Sequence, residues 1–548
     1  MRAKKNVAVD ALLVGYENQE NLGLRSILAY LHEQGQKGVL MPFCPGRHGE
    51  VLAAVERFRP RLVGFSLIFQ HTLDEFGSLM RYLRTQNVQA HFTAGGHFPS
   101  LRPHQTLELL PELDSVVRFE GELILSELLE RLDQPDDWEH IQGLAFRKGA
   151  ETVLNPLRPP VANLDLLPPV YRDEPTHVGQ GLRTASMLAS RGCLFNCSFC
   201  SIRQFYGALR GPLRRVRSPQ AVVDEMLSLF TRCGVRYFSF QDDDFAARTK
   251  QQREWLYAFL DILARAELAN QVQWKISCRV DDLEPEILTA MTRHGLMGVY
   301  LGVESGNAAG LSTLNKRVCV TQNLSAVSLL KQHNVAMAMG FMLFDPSSTM
   351  DTIRENLDFL HAVGADGYFP INFCKMLPYA GTPIEATLLR AGRLKGTPIQ
   401  PDYGYLDPSV EAYEYLVKRI FTRKNFSREG LVALLQEADF DYRLERAFGL
   451  VERAKDYGTA LRQLICRSNL LTLQTLRALH DEIVSSGSEF SLQEQEAILE
   501  IADREWRGEA AIKSELKRLK ETLPSHEDST RLTSGLGRSC VEAGSGNA

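Results

Sequence analysis

The sequence predicts an α/β protein: an N-terminal doubly wound parallel sheet of Rossmann-like type, a central partial TIM-type (β/α)6 barrel, and a helical C-terminal domain. Three observations predict this order. Short apolar runs alternate with amphipathic helical stretches through the first part of the chain, the pattern of parallel strands covered on both faces. Strand-helix alternation resumes after residue 184 for about six repeats, the number of an incomplete barrel. Beyond residue 397 the strand pattern fades and only helical periodicity remains.

Taken in order, strands are expected at 7–14, 38–41, 62–67 and 90–94, with helices at 22–34, 50–58 and 73–86. Doubly wound sheets bind ligands beyond the carboxyl ends of their strands, where Glu17, Asn18, Ser66, Phe69, Gln70, His71, Gly95, Gly96 and His97 lie. The first domain is placed at 1–133. A stretch with clustered prolines, including Pro159-Pro160 and Pro168-Pro169, marks a linker at 134–183. Strands at 186–190, 237–241, 272–277, 298–303, 336–344 and 367–376 then build a barrel over 184–396, whose functional loops belong at the carboxyl face. Helices at 411–423, 429–438, 442–463 and 470–486 form a domain at 397–525. The tail at 526–548, rich in Ser, Gly and charge, is expected to be disordered.

Hydrophobic residues make up 44% and charged residues 24% of the 548, which leaves room for large cores. The 62 basic and 67 acidic residues are mixed along the chain, so its charge directs it to neither nucleic acid nor a membrane surface. No apolar run is long enough to span a membrane. The basic start followed by residues 7–14 resembles a signal peptide, but Asp10 interrupts the run and no small-residue cleavage site follows. Ten cysteines, three of them within eight residues, do not resemble a secreted disulfide framework; a cytoplasmic protein is expected.

Those three, Cys193, Cys197 and Cys200, occupy one short loop after the first expected barrel strand. Soft ligands at this density suit an iron-sulfur cluster or zinc. A structural zinc site closes with four ligands, generally from two cysteine pairs, and no second pair is present. Three ligands leave one metal corner open to a substrate or cofactor.

This Cys-x3-Cys-x2-Cys loop at that place resembles the radical S-adenosylmethionine (SAM) superfamily. The resemblance implies a four-iron four-sulfur (4Fe-4S) cluster on Cys193, Cys197 and Cys200, whose fourth iron binds the amino and carboxylate groups of SAM. One electron, from a donor such as flavodoxin or ferredoxin, then cleaves SAM to methionine and a 5'-deoxyadenosyl radical. By the same resemblance Phe199 faces the adenine, Asp242 and Asp243 of the acidic run Gln241-Asp242-Asp243-Asp244-Phe245 meet the amino group, and Ser277, Arg279, Glu304 and Ser305 meet the carboxylate and ribose. The acidic run replaces the commoner Gly-Gly-Glu, yet a carboxylate still pairs with an ammonium. Arg317, Phe344-Asp345-Pro346 and residues 377–382 either contact substrate or shape turns.

A doubly wound domain ahead of such a barrel resembles the cobalamin-binding (B12-binding domain) branch of that superfamily, over about residues 7–395. This implies cobalamin held between the domains by the strand-end loops already named together with Glu120. The Asp-x-His-x-x-Gly signature of other corrinoid proteins is absent, and His71 and His97 are either axial ligands or hydrogen-bonding residues. The implied activity is methylation of an unactivated carbon of a small molecule, a secondary metabolite or lipid. Radical rearrangement, dehydration or ring formation without methyl transfer is the alternative. A non-catalytic cobalamin or metal sensor is the answer of another class. The sequence marks out no catalytic residue beyond the cofactor set.

Overall fold

The computed structural model describes residues 8–17, 20–173, 176–178, 182–245, 247–449, 454–486 and 492–521. Asn18 and the expected disordered tail at 526–548 lie outside the described residues.

The first domain runs β1 (Ala11–Gly15), α1 (Leu22–Glu33), β2 (Gly38–Pro42), α2 (His48–Phe58), β3 (Leu62–Ser66), α3 (Leu73–Thr85) and β4 (His91–Gly95). It continues with α4 (His97–Leu101), α5 (Pro103–Leu109), β5 (Ser115–Val117), α6 (Glu122–Glu130), β6 (Leu144–Lys148) and β7 (Glu151–Leu154). The strands form one sheet in the order β2-β1-β3-β4-β5-β6-β7, parallel through β5. Along β1, Leu12 and Val14 join Val63, Phe65, Phe76 and Phe92 in one core, whereas Ala11 and Leu13 join Leu28, Leu31 and Leu125 in another. Alternate residues of a single strand thus fill two cores, which is what winding helices over both faces requires.

The expected linker at 134–183 is corrected at both ends. The antiparallel hairpin β6–β7 extends the first sheet as far as Leu154, turning at Gly149. Leu144, Ala145 and Phe146 are buried in a continuous run without alternation, and the polar residues Arg147, Lys148, Glu151 and Thr152 at the exposed end hide the strand pattern. At the other end β8 (Thr176–Val178) and β9 (Leu182–Met187) already belong to the second sheet.

The second domain continues β10 (Ser190–Arg191), α7 (Ile202–Gly207), β11 (Arg215–Val216), α8 (Pro219–Cys233), β12 (Val235–Phe240), α9 (Lys250–Arg265), β13 (Gln273–Arg279) and α10 (Pro285–Arg293). Then follow β14 (Leu296–Glu304), α11 (Ala308–Thr313), α12 (Val320–Gln332), β15 (Ala336–Phe344), α13 (Met350–Gly364), β16 (Cys374–Lys375), α14 (Pro383–Arg390) and the hairpin β17 (Leu394–Gly396) with β18 (Pro401–Tyr403). The sheet order β16-β15-β14-β13-β12-β9-β8 makes six parallel strands, curled into a half-barrel, with β8 antiparallel at one edge. The strand expected at 367–376 shrinks to β16. Pro370 has no N–H to donate, and the Ile371 N–H bonds the Asn469 side chain at 2.9 Å instead of a neighbouring strand.

Helices α15 (Pro408–Phe426), α16 (Leu431–Ala447), α17 (Ala454–Ser486) and α18 (Leu492–Glu521) complete the chain. The two helices expected at 442–463 and 470–486 fall instead on the end of α16 and on the 33-residue α17. Asn425 of α15 donates to the Phe373 carbonyl at 3.1 Å, so these helices brace the last barrel strand.

Buried ion pairs join the first two domains. Arg172 links Glu20 (2.9 Å) to Glu225 (3.1 Å), while Arg191 reaches Glu122 (2.6 Å) and Glu120 (3.5 Å). Gln70 spans the same boundary, accepting from the Ala380 N–H at 2.8 Å and donating to the Pro398 carbonyl at 2.7 Å.

Candidate functional site

The cysteine loop leaves the carboxyl end of β9 and is pinned from β12. Asp242, buried at the end of β12, accepts from the Ala189 N–H at 3.1 Å and from the Ser190 hydroxyl. Asp243 accepts the Gly192 N–H at 2.9 Å. Gly192 has φ +86°, and a Cβ there would strike the Leu213 carbonyl, so the sharp entry to Cys193 requires glycine. Asp244 lies 4.0 Å from the Cys193 sulfur and keeps one buried oxygen without a hydrogen-bond partner.

Cations gather on the far side of the loop. Arg279 donates to the Cys197 sulfur at 3.5 Å and lies 3.9 Å over the Phe195 ring, with Arg248 at 4.3 Å. Burial pushes Cys193 and Cys200 up to about 12, and it raises Cys197 against the opposing pull of Lys316 and Arg279. The metal-free thiols are therefore protonated at neutral pH, and a bound metal deprotonates them outright. Among the described residues no three His, Cys, Asp or Glu side chains are grouped to hold one metal ion. A cluster that takes each thiolate on a different iron needs no such grouping, and three soft donors beside two cations suit its anionic charge.

The residues expected around SAM divide into two groups. Phe199 and Asp243 face the central cavity, Arg279 touches Cys197, and Glu304, at φ +69°, pairs with Lys316 at 3.3 Å beside the same loop. Ser277 stands two residues below Arg279 on the same face of β13. Two expectations are corrected. Asp242 spends both carboxylate oxygens on fastening the cysteine loop. Ser305 is 0% exposed, its hydroxyl bound to Asn307 and Asn356, so it shapes the turn after β14 and meets no ligand. Arg317 points to solvent, and its neighbour Lys316 faces the site; only packing separates adjacent residues of one turn. Asp345 accepts from the Ser347 N–H at 2.8 Å, and its own N–H donates to the Ser348 hydroxyl at 3.0 Å, which is turn chemistry.

A cavity of about 1320 Å³ opens between the strand ends of the first sheet and the cysteine loop. Of the residues expected around cobalamin, Ser66, Phe69, Gln70, His71, Gly95, Gly96, His97 and Glu120 line it. Glu17 does not: it is paired with Arg25 of α1 at 2.8 Å and accepts from the Asn21 N–H at 3.0 Å, a correction that reflects its side chain turning to the helix rather than to the cavity wall. Gly96 has φ +119°, and a Cβ there would strike the Leu67 carbonyl. Ile68 and Phe69 lie 42% and 49% exposed on the wall, an apolar shelf that a large ring would cover. Space, shelf and glycine floor fit a corrinoid. Tyr379 and Arg428 reach the cavity from far along the chain, and no local pattern marked Arg428.

His97 stacks on Phe205 at 4.5 Å and bonds Ser201 at 3.0 Å. Burial lowers both His97 and His91 from 6.5 to about 4, so both are neutral at pH 7. Between those two values the unfolded chain takes up protons that the folded chain refuses. The cofactor-free protein should therefore lose stability as pH falls from 6.5 to about 4, on the order of a few kcal/mol in all. Denaturant melts of His97→Gln should show a shallower loss over that window; an unchanged pH profile would contradict the assignment.

Residues 10–129 match the B12 binding domain family, and residues 187–360 match the Radical SAM superfamily. The chain is a cobalamin-binding radical SAM enzyme. Family membership gives it a 4Fe-4S cluster, SAM and cobalamin as cofactors, a small-molecule substrate and the need of a reductant. It is 25% identical over 421 residues to an uncharacterized methyltransferase of Pyrococcus horikoshii, covering 76% of this chain and 86% of that one. It is 30% identical to the anaerobic magnesium-protoporphyrin IX monomethyl ester cyclase of Cereibacter sphaeroides, spanning 48% of this chain and 43% of the cyclase. It is 25% identical to the hopanoid C-3 methylase of Methylococcus capsulatus, over 66% and 67% of the two chains. The fold is that of OxsB, a cobalamin-dependent S-adenosylmethionine radical enzyme solved with aqua-cobalamin, at TM-score 0.68 and 16% identity over 97% of this chain and 84% of that one. TsrM, a radical SAM methyltransferase from Kitasatospora setae, superposes at TM-score 0.58 and 18% identity over 70% and 75%. Among the described residues of this radical SAM enzyme, no helix is long and apolar enough to cross a membrane.

Proposed function

We propose that this enzyme methylates an unactivated carbon of a small-molecule substrate, a secondary metabolite or lipid. The observation that carries the reading is a cavity whose walls come both from the strand-end loops of the first sheet and from Phe199, Cys200 and Ser201 of the cysteine loop. When bound, cluster and SAM supply a hydrogen-abstracting 5'-deoxyadenosyl radical, and cobalamin supplies a methyl group from a second SAM.

The chain's own residues hold and shield these groups. Cys193, Cys197 and Cys200 take the cluster, with Arg279 and Lys316 offsetting its negative charge. Asp243, Ser277, Arg279, Glu304 and the Phe199 backbone receive SAM. Phe69, His71, Gly95, Gly96, His97 and Glu120 line the corrinoid side, and the ion pairs of Arg172 and Arg191 keep the two walls together so that water is excluded while a radical is present. Flavodoxin or ferredoxin is the reductant, no nucleic acid takes part, and the cysteine usage supports a cytoplasmic setting.

Radical ring chemistry without methyl transfer is the second reading, favoured by the 30% identity to the cyclase. The test is anaerobic reconstitution with iron, sulfide and hydroxocobalamin, followed by reduction and methyl-labelled SAM in the presence of candidate substrates. Methylation yields S-adenosylhomocysteine and 5'-deoxyadenosine in equal amounts with label in the product. Deoxyadenosine alone, with no label transferred, removes the methylation reading.

A further inference from the structure

The inner face of the half-barrel contains a cation that the cofactor chemistry does not use. Along β13, Trp274, Ile276 and Cys278 turn outward into the helix-covered core, at 0%, 1% and 6% exposure. Strand alternation therefore puts Lys275, Ser277 and Arg279 on the opposite, concave face, where Arg279 meets Cys197. Strand register sets the neighbours of Lys275. Ser186 pairs with Ser239, Ser239 with Lys275, Lys275 with Gly298, and Gly298 with Ala336. One row across five strands is thus four small residues around a single long cation. The row above it contains Ser277, Tyr300 and Ala338, and Tyr300 is 48% exposed, so the face is open there. Below, Tyr237 and Met297 pack with Leu444 of α16 and close the floor.

Lys275 differs from the other enclosed lysines. Lys316, Lys375 and Lys424 each have a carboxylate partner within 4 Å. Among the described residues Lys275 has none, and burial lowers its pKa with no opposing charge. An unpaired cation in a recess costs stability, so its place there calls for an anion from outside the chain. One hydroxyl stands ready beside it: Ser239 accepts from Gln241 at 2.8 Å, and its own O–H has no acceptor among the described residues. From Lys275 to Arg279 the strand rises about 13 Å, roughly the length of a small organic substrate.

We propose that Lys275 anchors the substrate through an oxyanion, a phosphate or a carboxylate, so that the rest of the molecule extends up the barrel toward the cysteine loop. The proposal rests on the reading of the enzyme as acting on a small molecule within this barrel. Lys275 is a positioning residue and touches no reacting atom.

The test uses thermal melts of the full chain, wild type, Lys275→Met and Lys275→Arg, with butyl phosphate, butyrate or butanol at about 10 mM, enough for a millimolar binder to register. Wild type should be stabilised by butyl phosphate or butyrate and not by butanol; whichever acid is preferred names the substrate class. Lys275→Met should weaken that response about tenfold, the equivalent of about 1.4 kcal/mol, while Lys275→Arg retains it. Without a ligand, Lys275→Met should melt at a higher temperature than wild type, since it loses an uncompensated charge, and this separates a lost site from a misfolded one. Equal stabilisation of wild type and Lys275→Met, or no response of wild type to either acid, overturns the proposal. The parent reading stands or falls separately, on whether the reduced wild-type enzyme cleaves SAM.

Discussion

Replacing any one of Cys193, Cys197 and Cys200 by alanine is expected to abolish SAM cleavage and to strip most of the iron from the reconstituted protein. Among the described residues no other cysteine lies on that loop; Cys44 is at the opposite, first-domain wall of the cavity. Cys233, Cys319 and Cys466 lie elsewhere in the fold as free thiols, Cys278 turns away into the helix-covered core, and Cys374 donates to the Phe341 carbonyl at 3.6 Å. Two thiolates leave two irons without a protein ligand, and the cluster then loses the geometry that presents one open corner. The loop itself should survive, because Asp242, Asp243 and the turn at Gly192 shape it through backbone and carboxylate contacts that need no sulfur. Iron and sulfide content, the cluster's absorbance and 5'-deoxyadenosine yield check the expectation, with Cys319→Ser as the control that should change none of them. Undiminished iron in the alanine variants would contradict the assignment of the cluster.

The largest effect on stability is expected from Lys424→Met in the helical domain. Lys424 and Glu505 are 1% and 0% exposed, bond at 2.6 Å, and are satisfied further by Thr472 at 2.6 Å and Thr475 at 2.8 Å. Removing the lysine strands a buried carboxylate, which typically costs about 3–5 kcal/mol. Removing both charges is far milder, so Lys424→Met combined with Glu505→Leu should recover most of the loss. Hydrogen exchange in α15, α17 and α18 reports the change locally, which suits a chain of several domains better than one global melt. Because the neighbouring Asn425 holds the Phe373 carbonyl, the single variant should also loosen the barrel edge at β16. Equal exchange in the single and double variants would show that the pair carries no such weight.

The cofactor loop was legible in the sequence because its chemistry is local: three sulfurs within eight residues declare themselves by spacing alone. The first sheet was legible for a similar reason, since alternating strands and helices bury residues at periods that a short window reveals. The hairpin β6–β7 escaped that reading because its apolar run, Leu144 to Phe146, is only three residues long and is followed by the charged and polar residues Arg147, Lys148, Glu151 and Thr152. The roles within Asp242-Asp243-Asp244 escaped it as well. One carboxylate fastens a strand, the next accepts from Gly192 and faces the cavity, and the third lies beside Cys193, yet in the sequence they are three identical letters.

By itself, then, the order of residues pointed to the candidate ligands of the cluster and determined the two parallel sheets and the ring of loops at their carboxyl ends. Tertiary structure alone decided that Lys316 rather than Arg317 faces the site, that Glu17 belongs to Arg25, and that Lys275 stands without a partner. The physical reason is range. Periodicity and spacing record contacts made within a few residues, whereas the partner of a charge is chosen by packing between segments that lie far apart along the chain, as Gln70 and Ala380 do.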